Sequence, residues 1–162
     1  MEKESKNLRK SIYRYSVMIN NYFKELITAE MIEAGKKLEL CGSMKFSYYF
    51  ILCELYHSNK PLSLTQLASL VSVKLPNISN LVNELIKIGL VEQCQYDTNK
   101  RKVTVQLSEL GIKYSNLLLP ELSKIGKYVY GSDAECEKIY EYYSMLHARH
   151  FGKREDLSLI HI

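Results

Sequence analysis

"KLPNISNLVNELIKIGLV", residues 74–91, decides how this chain is read. Ile78, Leu81, Val82, Leu85 and Ile88 recur at three- and four-residue steps, the buried stripe of an amphipathic helix. Pro76 stands where a first-turn proline is tolerated, and Gly89 where a helix stops. At about 100° per residue, Asn80, Asn83, Glu84 and Lys87 fall opposite the stripe, with Asn77 and Ser79 at its flanks. Asn and Ser are mediocre helix formers, because their side chains compete for backbone hydrogen bonds. Stability alone would place Ala or Lys there. A row of amides and hydroxyls suits hydrogen bonding to another molecule.

The neighbouring segments say what that molecule is. Upstream, Thr65 is expected to cap a short helix that buries Leu67, Ala68 and Val71, and the tight turn "VSVKL" joins it to the quoted helix. Two helices so joined form a helix-turn-helix, whose second helix enters the DNA major groove with its N-terminal residues at base edges. Asn can read adenine through paired hydrogen bonds, and Ser or Glu can meet other edges. Downstream, "LVEQCQ" and "KVTVQL" alternate like paired strands around the turn "YDTNK". Lys100, Arg101 and Lys102 tip that hairpin, a two-stranded wing able to reach phosphates or the minor groove. A solvated helix face and an ordinary charged hairpin would explain each piece singly. The ordered combination of turn, Asn-rich start, Gly stop and basic hairpin favours DNA binding.

Residues from about 44 to 122 resemble the MarR family of bacterial winged-helix transcription regulators. "LSLTQLASLVSVKLPNISNLVNELIKIGLV" is similar to that family's helix-turn-helix, and "NKRKVTVQLSELG" to its wing signature. That signature runs Asp-x-Arg, five residues, Leu-Thr, two residues, Gly. Arg101, Leu107 and Gly111 match it directly, Ser108 replaces Thr conservatively, and Asn99 occupies the acid's position. Gln93 also replaces an arginine common just after "GLV". The resemblance implies an obligate homodimer built from the first and last helices. It also implies binding to a palindrome, with repression usually relieved by a small ligand or by oxidation.

The rest of the chain is compatible with that assembly. Leu8, Ile12, Tyr15, Ile19, Tyr22 and Leu26 form a heptad-like stripe on a first helix ending near Gly35, the pattern of helix-on-helix packing. Ser47 is expected to cap a second helix with Tyr49, Leu52, Cys53 and Tyr56 on one face, and "PLSL" is short and extended. From Ser108 a further helix carries Leu110, Tyr114, Leu118, Leu122, Ile125 and Val129 on one side, with a kink expected at Pro120. Asp133 is expected to cap the last helix, where Cys136, Ile139, Tyr143 and Leu146 line up. The fold class is therefore mainly α: a winged helix-turn-helix with a two-stranded wing, plus N- and C-terminal helices forming a dimerisation lobe. Residues 1–40 and 112–152 are assigned to dimerisation, 44–111 to the DNA-binding lobe and 153–162 to a loosely held tail.

Composition narrows the function. A chain of 162 residues with net charge +4, 46% hydrophobic and 25% charged residues suits one globular domain that can, but need not, bind nucleic acid. The N-terminus "MEKESKNLRK" is no signal peptide, and no apolar run approaches the ~20 residues of a membrane span. The four cysteines include no CxxC pair, so a cytoplasmic protein with reduced thiols is expected. GxSxG, HExxH and glycine-rich phosphate loops are absent, and no enzyme activity or cofactor is expected.

Three other constellations were weighed against plainer roles. His147 and His150 have chelating spacing, but Cys136 is about 16 Å away along the helix, so no metal site is assigned. Cys53 and Cys136 fall on apolar faces, whereas Cys94, near basic residues, and Cys41, in a loop, are the candidates for an accessible thiol; inert thiols are favoured. The 13 tyrosines fit either interhelical packing or an aromatic-lined cleft for a small aromatic effector. Expected partners are thus double-stranded DNA, a second copy of the chain and such an effector. The expected DNA contacts are Lys74, Pro76, Asn77, Ser79, Asn80, Asn83 and Lys87 on the helix, with Asn99, Lys100, Arg101 and Lys102 on the wing. A winged helix that binds protein instead of DNA is the alternative, and steep weakening by salt would distinguish DNA binding from it.

Overall fold

The structure is a computed structural model that describes residues 2–94 and 103–151, with side chains from 8 to 94 and 103 to 149. Its elements run α1 (Glu2–Lys37), α2 (Ser47–His57), β1 (Leu62–Ser63), α3 (Leu64–Leu70), α4 (Leu75–Ile88), β2 (Val91–Cys94), β3 (Thr104–Leu107), α5 (Glu109–Tyr130) and α6 (Asp133–Phe151). This is a mainly helical winged helix, as the sequence predicts. The sheet is three-stranded and antiparallel in the order β1-β3-β2, because the two residues of β1 pair with the far edge of β3. The expected two-stranded wing is present as its β2–β3 part, with Val91 opposite Leu107 and Cys94 opposite Thr104.

A single apolar core joins the helix-turn-helix to the sheet and to the last part of α1. Ile51, Leu67, Ile78, Leu85, Leu90, Val105 and Tyr114 are buried in it. α1 packs mainly on α5. There the Tyr114 hydroxyl donates to the Met31 carbonyl at 2.9 Å, giving a buried phenol a partner and tying the two helices together. Only the C-terminal part of α1 enters the core, through Ile27, Met31 and Ala34.

Two small residues set the join between α4 and α5. Gly89 has φ 90°, the left-handed region that closes α4. A Cβ at Gly111 would stand 2.0 Å from the Leu90 carbonyl oxygen, so that close approach requires glycine. Ser108 completes the join: its hydroxyl donates to the Gly89 carbonyl at 2.5 Å and accepts from the Gly111 amide at 3.0 Å.

The helix starts depart from expectation in three places. Ser63, not Thr65, caps α3; its hydroxyl accepts from the Gln66 amide while the Gln66 side chain accepts from the Ser63 amide, a capping box. Ser47 is the first residue of α2 and not its cap, and Phe46 before it makes no side-chain capping bond. Ser132, not Asp133, caps α6: its hydroxyl accepts from the Glu135 amide at 3.4 Å, and its own amide donates to the Glu135 carboxylate at 2.8 Å. The buried face of α2 is also turned by about one residue, burying Tyr48, Ile51, Leu52, Cys53 and Leu55 and leaving Tyr49 and Tyr56 half-buried. In α3 and α4, Val71, Leu81 and Ile88 are half-buried. α5 continues as α-helix through Pro120.

Candidate nucleic-acid interface

The outward face of α4 follows from which of its sides the core takes. Burial of Ile78, Val82 and Leu85 leaves Lys74, Pro76, Asn77, Asn80, Asn83 and Lys87 exposed, and Ser79 half-buried. The side-chain amides of Asn77, Asn80 and Asn83 have no hydrogen-bond partner among the described residues. Three amides, each with donor and acceptor groups, are thus uncommitted on one helix surface. Lys74 precedes the helix in extended conformation and makes no side-chain capping bond; its carbonyl accepts from the Asn77 and Ile78 amides at 3.0 and 3.1 Å.

Glu84 behaves differently from its neighbours. Its carboxylate accepts from the Tyr48 hydroxyl at 2.5 Å and from the Lys45 ammonium at 2.8 Å. Lys45 and then Tyr48 hold the carboxyl below the usual carboxylate range. Burial, together with the Glu84 bond, pushes the Tyr48 phenol up, so it stays a neutral donor. Glu84 therefore ties α4 to the start of α2 and is not available to read a base edge. Sequence reasoning could not see this, because the partners lie 36 and 39 positions away.

The described wing strands, Val91–Cys94 and Thr104–Leu107, fall within the two expected segments, and Gln106 donates to Glu92 across them at 2.7 Å. The tip residues Asn99, Lys100, Arg101 and Lys102 lie outside the described residues. Leu75, which the sequence reading did not single out, is 45% exposed at the start of α4.

A second feature lies between α1, α2 and α5. A cleft of about 530 Å³ is lined by Phe23, Phe46, Tyr49, Phe50, Ile125 and Tyr130, among others. The Phe23 and Tyr130 rings meet at a tilt of 33° with centroids 5.0 Å apart, and Lys24 lies 5.4 Å from the Phe46 ring. A Cβ on Gly126, at the cleft wall, would meet no atom within 4 Å. The tyrosines divide: Tyr48 and Tyr114 are core residues, whereas Tyr49 and Tyr130 line the cleft.

The cysteines also divide. Cys94 is buried, contrary to the expectation of an accessible thiol, and burial raises its thiol pKa. Cys53 is buried as expected, its thiol pushed up to about 12. Cys41 is exposed and Cys136 half-buried. Among the described residues, no group of three His, Cys, Asp or Glu side chains is arranged to hold a metal ion; the His150 side chain lies outside them. No described helix is long and apolar enough to cross a membrane.

The fold is that of a winged helix-turn-helix protein. Residues 47–103 match the MarR family model, so the winged-helix lobe is a MarR-family domain. No curated protein sequence matches the chain. Sco3205, a MarR family transcriptional regulator from Streptomyces coelicolor in complex with DNA, is similar at 17% identity and TM-score 0.72, covering 86% of this chain and 89% of its own. AbfR of Staphylococcus epidermidis is similar at 14% identity and TM-score 0.71, covering 94% and 99%. The organohalide-sensing regulator RdhR-CbdbA1625, in its 2,4-dichlorophenol-bound form, is similar at 16% identity and TM-score 0.75, covering 89% and 82%. At such identities the likeness is one of fold.

Proposed function

We propose that this protein is a sequence-specific, non-enzymatic DNA-binding transcription regulator of the cytoplasm, acting as a homodimeric repressor on a palindromic operator. The observation that carries the reading is the uncommitted amide row of Asn77, Asn80 and Asn83 on a helix held in place by Glu84. Exposed amides cost the helix stability without return inside the chain, whereas bidentate contact with adenine uses both their donor and acceptor. Lys74, Pro76, Ser79 and Lys87 complete the helix contacts, with Asn99, Lys100, Arg101 and Lys102 reaching the neighbouring backbone or minor groove. The MarR family match and the DNA-bound state of Sco3205 support the same reading.

Residues 1–40 and 112–152 pair two copies, and 44–111 contact DNA. Leu8, Ile12, Tyr15 and Ile19 are exposed along α1, an apolar row that water would penalise in a lone chain. A two-fold axis would set two α4 helices on half-sites about one helical turn apart.

Repression is relieved by a small aromatic or phenolic compound bound in the cleft between α1, α2 and α5. The aromatic walls fit its ring, and the similar fold of a regulator bound to 2,4-dichlorophenol supports it. Oxidation is the second route named by the resemblance; with Cys94 buried, Cys41 would have to carry it. Gly126→Leu should fill the cleft without a clash, abolishing release by phenols while DNA affinity is retained. An unchanged phenol response would remove the cleft from the mechanism.

The test of the main reading is selection of bound fragments from random DNA, followed by affinity measurement across a salt series. Affinity for the selected site should fall steeply, by orders of magnitude between about 50 and 200 mM salt if six or more phosphates are contacted. Failure to enrich any sequence would refute it and leave the protein-binding alternative.

A further inference from the structure

Leu75 stands three residues before Ile78, the spacing of one helix face, yet it is 45% exposed where Ile78 is fully buried. It borders a groove of about 770 Å³ between the start of α4 and the start of β3. Val103, 46% exposed, borders the same groove, whose other walls include Pro76, Ser79 and Thr104. An apolar edge therefore sits at the first turn of α4, where the helix begins. Neither helix stability nor the core explains it, since the first helical position favours proline or a polar residue and this side chain packs into no buried cluster.

DNA supplies a matching group. The base edges of the major groove offer hydrogen-bond donors, acceptors and one apolar feature, the C5-methyl of thymine. We infer that Leu75, backed by Pro76, is a specificity-determining residue that reads a thymine methyl in each half-site. The inference rests on the DNA-binding reading and adds a base identity that the amides do not supply.

Replacing each dT of a selected operator by dU, one position at a time, removes the methyl and nothing else. The full-length protein should lose about three- to tenfold affinity at one such position per half-site, the scale of one buried methyl group. Leu75→Ala, with its fold checked by circular dichroism, should bind the dT and dU operators equally. Leu75→Met should keep the discrimination, and Asn80→Ala should lower affinity while leaving the dT/dU ratio intact. Indifference of the unmodified protein to every dU, or a dT/dU ratio unchanged in Leu75→Ala, would overturn the inference while DNA binding itself stood. Absence of any sequence-preferred binding would overturn the DNA reading and this one together.

Discussion

α4 and the first half of α1 are both helices with an apolar stripe, and they use it in opposite ways. In α4 the stripe of Ile78, Val82 and Leu85 is consumed by the chain's own core, and what faces water is a row of amides. In α1 the stripe of Leu8, Ile12, Tyr15 and Ile19 faces water, uncovered by the described residues. Exposed amides invite directional hydrogen bonds and therefore a partner with a readable edge. An exposed apolar row asks only for matching apolar surface, which a second copy of the same helix provides. The two faces thus point to two partners, DNA and a second subunit.

The largest expected effect breaks the α1 side. Ile12→Glu with Ile19→Glu should leave the chain folded, since both side chains are exposed, but monomeric by sedimentation at micromolar concentration. Operator affinity should fall about a hundredfold or more, because each winged lobe then binds its half-site without the second. A dimer that survives this pair of charges would show that the α1 stripe is not the interface.

On the α4 side, Asn80→Ala should cost about 1–3 kcal/mol on the selected operator and little on random DNA, measured by fluorescence anisotropy. Equal losses on both would mean that Asn80 does not read a base. Arg101→Ala should weaken binding to most sequences and lower the salt slope by about one. A slope left intact would take the wing arginine off the list of contacts.

The smallest effect concerns what holds α4 in place. Tyr48→Phe removes one of the two partners of Glu84 and should lower Tm by about 2–4 °C near neutral pH. Because Lys45 and Tyr48 depress the Glu84 carboxyl, its contribution is fully present above the ordinary carboxylate value of 4.5 and is lost as pH falls through the lower, folded value. The Tm gap between the two proteins should accordingly narrow as pH falls below 4.5. Glu84 is partly exposed, so solvent screens the pair and the gap stays modest. A gap unchanged down to strong acid would mean that the phenol's loss acts through packing and not through the carboxylate.

What the sequence determined by itself was local and periodic. The apolar stripe and the opposed amides of residues 74–91 follow from 3.6-residue geometry, and the Gly89 stop from the left-handed conformation that glycine adopts freely. Ser108 and Gly111 were legible as part of a wing signature, though not the closeness of the Leu90 carbonyl, which leaves no room for a Cβ at Gly111. What the tertiary structure decided depended on partners distant in sequence. The rotation of α2, which buries Tyr48 and not Tyr49, is set by its neighbours α4, α5 and β3. The same packing takes Glu84 out of the reading face and leaves Leu75 outside the core. Pairing of β1 with β3 joins residues more than forty positions apart, and a two-residue strand carries no periodicity from which to infer it. Periodicity says which residues share a face; only packing says which face is covered, because burial belongs to pairs of surfaces and not to one helix.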